Sequence, residues 1–560
     1  MSPVPFRRYL ANYGGGRALS ECTCLLLLAI ILHWNACGKH SQVTANEQEH
    51  LSTAKIARLR ALDRTRRLIF NSDSEEFDYP DADTAEGLMA VRMAPLIPTQ
   101  VDTICWSVLG VCGDAPVYDS QRQPVWGKPA HGAVPPGYAL YAGNIERLIE
   151  AGLCPLQIVT DFAHDHDKEL LASIRMNDVH DSFIAGMQTQ WKQQHNELLV
   201  KANGREPISD LYRTSQDFNH AAVRDRKFDI IEEVCERYDV DGVELDYIRH
   251  PVLFSSVYQG DPATAEEVAV MTNLMRRIRQ RLDKIAEQRG RPLLIAARIP
   301  DNFKLSRNIG LNVRVWLRED LVDMLFLGGG YAPAWLDVEE ISVETHRNGV
   351  CVYPCNNWAT RGFDAGLGGF LENSRALSAR WLRQGADGTY YWNVGTPLLK
   401  LSGQSLAQRR SDRYAPLSET GTLRSLAGKN KVYLLEKAHF LDAYEFISSS
   451  SPLPATVADH RVATIALKVG DDAQAAFAEG RSVDLSLGVD LVEPIDPSRL
   501  VVKLNGETLE CLPDGGPERC ITYRVAIPML NAGKNKLQVS GAETGIATEI
   551  QRVHLRIRYE

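Results

Sequence analysis

The sequence predicts an α/β chain, a (β/α)8 TIM barrel, followed by a C-terminal all-β sandwich. Three observations carry that expectation. Short apolar runs of strand character alternate eight times with amphipathic helical patterns between Arg67 and Val394. One of these runs, Val240 to Pro251 (V-D-G-V-E-L-D-Y-I-R-H-P), puts Gly242, Glu244 and Asp246 on one strand face and Val243 and Leu245 on the other. Two carboxylates on a strand covered by helices cost several kcal/mol unless that face opens to a polar mouth. From about Gly403 the texture changes, and from Thr456 onward short alternating runs are broken by Gly, Pro, Asn and Asp. A doubly wound open sheet is the alternative, but it asks for a Gly-rich phosphate turn after the first strand, where this chain has Asn71-Ser72-Asp73-Ser74.

The elements follow in order. Strands are expected at Arg67 to Asp73, Val101 to Ser107, Leu170 to Asn177, Val240 onward, Leu293 to Ile299, Met324 to Gly328, Val350 to Pro354 and Thr389 to Val394. Helical patterns separate them, at Thr84 to Met93, Ile145 to Ala151, Leu156 to His166, Val223 to Tyr238, Ala263 to Arg289, Val313 to Leu321, Val338 to Arg347 and Leu371 to Arg383. Long connections, Val108 to Gly137 and Val179 to Asn219, follow the second and third strands and so belong over the face where such barrels build clefts. The sandwich runs are Ala463 to Val469, Val483 to Val489, Leu500 to Leu504, Tyr523 to Ile527, Lys536 to Val539 and Val553 to Tyr559. The domains expected are an export signal and tether over 1–50, the barrel over 51–400, a connecting segment over 401–455 and the sandwich over 456–560.

At 560 residues the chain is long enough for two or three domains with sizeable cores. Its net charge of −9 with interspersed signs gives no electrostatic case for nucleic acid or an anionic membrane surface. Arg7, Arg8 and Arg17 precede the apolar run Cys22 to Leu32, too short to span a bilayer, and read as an export signal. Asn35-Ala36-Cys37-Gly38 resembles a bacterial lipoprotein processing site, although Trp34 departs from the aliphatic residue usual there. The expected location is therefore outside the cytoplasm, periplasmic or cell-surface, with the membrane touched only through an N-terminal lipid or signal anchor. Eight of the eleven cysteines lie beyond Cys37, and none forms a C-x-x-C pair typical of zinc. Cys511 and Cys520 flank the turn Pro513-Asp514-Gly515-Gly516 and suggest a hairpin disulfide; Cys105 with Cys112 is a weaker pair.

In a barrel of this class the site lies at the C-terminal strand ends. Those ends present Asn71 and Asp73; Trp106; Arg175, Asn177 and Asp178 with His180; Glu244 and Asp246 with Arg249 and His250; Arg298 and Asp301; Tyr353, Asn356 and Trp358; and Tyr391, Trp392 and Asn393. Aromatic faces stack on sugar rings, amides and arginines bond hydroxyls or acidic substituents, and two carboxyl groups divide the acid and nucleophile roles of glycosidic cleavage. Arg175 and Arg298 could instead satisfy Glu244 and Asp246 as an interior ion-pair cluster. Asp161, His164 and His166 read as a solvated helix face, so no metal and no cofactor is expected.

The chain also resembles a family. D-G-V-E-L-D-Y-I-R-H-P looks like the D-G-I-H-x-D-Y-x-R-Y-P strand of glycosyl hydrolase-like family 10 barrels, and S-I-R-M-N-D (173–178) and G-A-D-G-T-Y-Y-W-N (385–393) look like their third and eighth strands. The resemblance implies a carbohydrate-active barrel with Asp246 as the catalytic acidic residue. Glu244 stands where those relatives often have His, and His250 where they have Tyr.

The expected function is an exported glycoside hydrolase acting on a polysaccharide or glycoconjugate, with Asp246 as principal carboxylate and Glu244 or Asp178 as its partner; Asp301 is a further choice. Same-face neighbours two apart lie roughly 6 to 7 Å from each other, so Glu244 and Asp246 could equally share a proton. The strand-seven end offers Asn356 and Asn357 where many retaining barrels carry Glu. That favours, as an alternative, a non-catalytic glycan-binding lipoprotein; a third reading, a metal-dependent hydrolase or deacetylase, needs His164, His166, His180 or His250 to converge near Asp178 or Asp246.

Overall fold

The computed structural model describes residues 53–560 apart from 111–113, 129–131, 133, 185, 329–335, 358–366, 395–404, 437–441, 459–460, 513–517 and 543–544. Eight parallel strands close into a barrel in chain order. They are β1 Leu68–Ser72, β2 Val101–Ser107, β3 Glu169–Arg175, β4 Gly242–Asp246, β5 Leu294–Ile299, β6 Met324–Leu327, β7 Cys351–Asn357 and β8 Thr389–Trp392. β8 pairs back onto β1 through Leu68, Ile69 and Phe70.

Alternation divides each strand between two cores. Ile69, Cys105, Leu171, Leu294, Ala296, Phe326, Tyr353, Cys355, Tyr390 and Trp392 fill the barrel interior. Phe70, Ile104, Trp106, Ile174, Val243, Leu245, Ala297, Leu325, Val352 and Tyr391 face the helix layer. Each fully buried aliphatic side chain contributes about 1.5–3 kcal/mol. Among the helices, Ala265–Arg289 shows how the sequence sets a boundary: Thr264 and Glu267 form a reciprocal capping box at its start.

The expected sandwich is present and extends further upstream than 456. Six strands form one sheet: β10 Ala455–Ala458, β18 Ala547–Tyr559, β12 Val483–Ile495, β16 Glu518–Arg524 and β15 Glu510–Cys511 in that order, with β9 Lys431–Glu436 also pairing β18. The second sheet orders β11 Ala463–Val469, β17 Gly533–Gly541, β13 Leu500–Leu504 and β14 Glu507–Thr508. The segment expected as a linker thus supplies β9. It also supplies a short 3-10 helix, Asp442–Ile447, whose Tyr444 and Ile447 join the core around the barrel. The sandwich sits directly on the barrel helix Gly369–Arg383: a Cβ on Gly470 would fall 2.3 Å from the Ala379 backbone, and Arg383 Nε donates to Gly470 O at 2.6 Å.

The expected disulfides differ from the structure. Tyr523 packs in the sandwich core and Cys511 is its cross-strand partner, whereas Cys520, three residues along β16, faces the opposite side of the sheet. The two thiols therefore project to opposite faces. Cys105 is a free thiol buried in the barrel interior, and Cys112 lies outside the described residues.

Candidate active site

Three registers stack up the interior of β3, β4 and β5: Leu171, Gly242 and Leu294 at the bottom; Ser173, Glu244 and Ala296 in the middle; Arg175, Asp246 and Arg298 at the C-terminal rim. This layering separates the two acidic residues of β4. Glu244 is fully buried and accepts from Tyr390 Oη at 2.6 Å, and Tyr390 is stacked on Phe326 at 4.6 Å between centroids. Burial, reinforced by the charge of Asp246 and opposed by the Tyr390 hydroxyl and Arg298, pushes the Glu244 carboxyl up to about 7. Glu244 therefore belongs to the packed middle layer beneath the mouth, a correction to its expected place as an acid/base reaching substrate.

Asp246 ends the strand. Its Oδ2 accepts from Arg298 Nη1 at 3.0 Å, and its Oδ1 from the backbone N–H groups of Ile248 (2.9 Å) and Arg249 (3.0 Å). Arg298 lies 5.0 Å from the Trp392 ring centroid and 5.7 Å from that of Tyr390, sandwiching the ion pair against aromatic faces.

A second cluster stands beside it. Arg175 bridges Asp73 (Nη2 to Oδ2, 2.8 Å) and Asp178 (Nη1 to Oδ2, 3.0 Å). Asn393, in the left-handed region at φ 48°, donates to Asp73 (3.1 Å) and Glu75 (3.0 Å), and accepts from Arg92 at 3.1 Å. Against the upward push of burial, Arg175 and Arg249 hold the Asp73 carboxyl below its ordinary value. His180, His250 and Arg175 overcome burial at Asp178 and hold it well below.

The histidines are ordered by the same bonds. A guanidinium only donates, so Arg249 Nη2, 2.8 Å from His180 Nε2, fixes Nε2 as acceptor and leaves Nδ1–H for Asp178 Oδ1 at 2.8 Å. His250 Nδ1 accepts from the Val179 N–H at 3.2 Å and lies 3.6 Å from Asp178 Oδ2. Burial, with the positive charge of Arg249 adding to it, lowers both imidazoles from their ordinary range against the pull of Asp178. Asp178, His180 and His250 lie within 4.8 Å of one another through one ligand atom each, a spacing a metal could use. The ligand atoms of Asp178 and His180 are nevertheless engaged in these short hydrogen bonds and flanked by two guanidinium groups, while His250 Nδ1 is taken by the Val179 N–H. His164, by contrast, sits on its helix and pairs with Asp241 at 2.9 Å.

Asp301, just past β5, differs from these carboxylates. Its Oδ2 accepts from the Ser449 N–H at 2.8 Å, and a Cβ on Gly328 would lie 3.2 Å from its Oδ1, placing the group over the end of β6. Among the described residues no cation is within ion-pair distance, and burial, opposed by the Ser449 backbone, pushes its carboxyl up to about 6. Ser449 belongs to a strap across the mouth in which Tyr444 Oη donates to Arg249 O (2.8 Å) and Tyr212 Oη to Ala443 O (2.7 Å).

Of the expected site residues, Asn71, Asp73, Arg175, Asp178, His180, Arg249, His250, Asp246, Arg298, Asp301, Trp392 and Asn393 converge on the rim or the interior just below it. Five others are corrected. Trp106 faces the helix layer and donates to Glu76 at 3.1 Å. Tyr391 turns the same way, to Thr420 at 2.8 Å, and Asn356 donates outward to Ser374 at 3.0 Å. Alternation explains all three: each is one residue out of phase with the interior face. Asn177 spends its amide on Gln216 and Val252, fixing loops. Tyr353 is interior but deep, with its hydroxyl near the charges of Arg66, Asp387 and Glu169. Trp358 lies outside the described residues. Sequence reasoning missed Glu75, Arg92, Tyr390 and the strap. It also missed Phe183, which is 58% exposed with its ring 5.3 Å from that of His180. Glu75 was signalled by its place after the first strand; the strap had no local signal.

No protein-family model matches the chain, so its likeness to glycosyl hydrolase-like family 10 rests on the quoted motifs. No curated protein matches it in sequence. Solved structures similar to it are glycoside hydrolases. One is alpha-L-fucosidase isoenzyme 2 from Paenibacillus thiaminolyticus, at 14% identity and TM-score 0.39, covering 66% of this chain and 51% of that one. The chain thus spans about half the length of that fucosidase. Another is the PgaB (BpsB) glycoside hydrolase domain from Bordetella bronchiseptica, at 11% identity and TM-score 0.38, covering 64% and 99%. A third is a glycoside hydrolase family 18 N-acetylglucosaminidase from Paenibacillus barengoltzii, at 13% identity and TM-score 0.34, covering 64% and 100%.

Proposed function

We propose that this chain is an exported glycoside hydrolase that cleaves a polysaccharide or glycoconjugate at the C-terminal mouth of its barrel. The observation that carries the reading is the contrast between two carboxyl groups past neighbouring strands. Asp246 is held by a guanidinium and two backbone N–H groups at the end of β4, while Asp301 past β5 has no cation within ion-pair distance among the described residues and is raised to about 6 by burial. Carboxyl groups in environments so unlike are suited to opposite roles. Asp301 delivers its proton to the leaving oxygen, and Asp246 faces the developing charge on the sugar ring as nucleophile or stabiliser. Trp392, Phe183, Arg249 and Asn393 supply stacking and polar contacts for the sugar.

The test is release of reducing sugar from a glycan panel. Wild type is expected to cleave at least one member, Asp246→Asn to abolish cleavage with folding intact, and Asp301→Asn to slow it strongly. Cleavage undiminished in Asp246→Asn rules the assignment out.

A second reading, glycan binding without cleavage, is favoured by the closed Asp246–Arg298 pair, each about 2% exposed. Retention of a glycan by wild type with no product after prolonged incubation would select it.

A further inference from the structure

Away from the barrel mouth, the outer face of the six-stranded sheet brings a carboxylate, a thiol and an imidazole together. Asp490 on β12 is the cross-strand partner of Cys520 on β16, and His554 on β18 stands opposite Gly488, two residues before Asp490. Leu487, Val489, Ile521, Val553 and Leu555 point into the core between the sheets, so alternation turns Asp490, Cys520 and His554 to the other side. One ligand atom from each lies within 4.8 Å of the others.

The geometry around His554 is specific. Its ring rests on Gly488, where a Cβ would fall 2.0 Å from a ring carbon, so glycine at 488 is what lets the imidazole lie across the sheet toward Asp490. His554 Nδ1 and Asp490 Oδ1 are 3.8 Å apart. That is beyond hydrogen-bond distance and near the edge of a ligand tetrahedron, about 3.4 Å for bonds of about 2.1 Å. Arg552 donates through Nη1 to the other oxygen, Asp490 Oδ2, at 3.4 Å and pairs through Nη2 with Glu436 at 3.2 Å, an outer partner that turns Oδ1 toward the imidazole. The Asp178–His180–His250 trio is equally close, but there a 2.8 Å hydrogen bond joins carboxylate to imidazole and occupies a ligand atom of each.

We propose that Asp490, Cys520 and His554 form a zinc-class metal site on the sandwich, independent of the barrel's chemistry. A thiolate with an imidazole suits a borderline ion such as Zn(II), and a single carboxylate is too little for calcium or magnesium. Three protein ligands leave the fourth position to water or an added donor. Binding releases the Cys520 proton and ties three strands of the sheet together.

The experiment uses the full chain, treated with chelator and then titrated with Zn(II) or Co(II). One equivalent is expected to bind, and the cobalt form is expected to show a sulfur-to-metal charge-transfer band that Cys520→Ser abolishes. His554→Ala and Asp490→Asn are expected to weaken zinc binding at least about tenfold, and Arg552→Gln to weaken it about 10- to 100-fold as an outer partner. In the unmodified protein, zinc is expected to protect Cys520 from alkylation and chelator to restore its reactivity, a readout independent of how any variant folds. Zinc affinity unchanged in Cys520→Ser, alkylation of Cys520 at the same rate with and without zinc, or a Cys520 disulfide found by mass would each overturn the site.

Discussion

Tyr390 on β8 donates its hydroxyl across the barrel to Glu244 on β4 at 2.6 Å, one interior layer below the Asp246–Arg298 ion pair. The pair of acidic residues on one strand face is therefore split by depth. Glu244, stacked among Phe326 and Tyr390, is a protonatable member of the core, and Asp246 stands above it at the rim.

Glu244 makes stability depend on pH in a defined direction. Its folded carboxyl titrates at about 7 against an ordinary 4.5, so the native state binds the proton more tightly than the unfolded chain. Raising the pH through that window costs stability, with the full penalty present above 7. At about 1.4 kcal/mol per pH unit the cost is up to about 3 kcal/mol. Glu244→Gln keeps the shape and an acceptor for Tyr390 and carries no such penalty. Urea unfolding at pH 5 and pH 8 is expected to show the wild type losing more stability than the variant; equal losses would contradict the assignment.

Asp301 predicts a pH profile for catalysis. As the proposed general acid, raised to about 6, Asp301 must be protonated to act, so kcat/KM for an unactivated glycan is expected to fall as pH rises through about 6. In Asp301→Asn the remaining activity is expected to lose that alkaline limb. Aryl glycosides with good leaving groups are expected to lose far less rate than natural glycans, and an unchanged limb in the variant would remove Asp301 from the acid role.

Much of the barrel was legible because its signals are local and repeated. The strand Val101 to Ser107 was bounded correctly, as Val101–Ser107, and the rhythm of runs located all eight barrel strands. The site was legible only where phase was: Arg175, Asp246, Arg298 and Trp392 share the interior face, while Trp106, Asn356 and Tyr391, chosen for chemistry alone, fall on the other. Depth was not legible, since period-two alternation cannot tell Glu244 in the middle layer from Asp246 at the rim. Nor was the strap, because Ser449 meets Asp301 across 148 residues of chain.

Arg175 is expected to be a keystone of folding as much as of binding. It is 2% exposed and joins Asp73 and Asp178, so Arg175→Leu leaves both carboxylates buried without their main guanidinium. Removing one side of such a buried network costs about 3–5 kcal/mol. Asp178, held well below its ordinary 3.8, contributes stability that is present above that value and lost as pH falls below it. Thermal unfolding at neutral pH is expected to drop sharply in Arg175→Leu, whereas Asp178→Asn is expected to flatten the acid limb of the stability curve.

Gly242 predicts how far the rim depends on the strand's lower end. A Cβ at this position would sit 2.2 Å from Leu294 O, and that oxygen is fixed in the β4–β5 pairing, so the clash cannot be relieved by turning a side chain. Gly242→Ala must push β5 away from β4, costing about 1–3 kcal/mol or more as overpacking does. The same displacement carries Arg298 away from Asp246, since both strands hold their register as units up to that pair. Loss of thermal stability together with loss of glycan cleavage is therefore expected from a single methyl group placed two interior layers below Asp246, the carboxylate proposed to react. A variant that unfolds at the wild-type temperature would show that β5 has slack the register does not suggest.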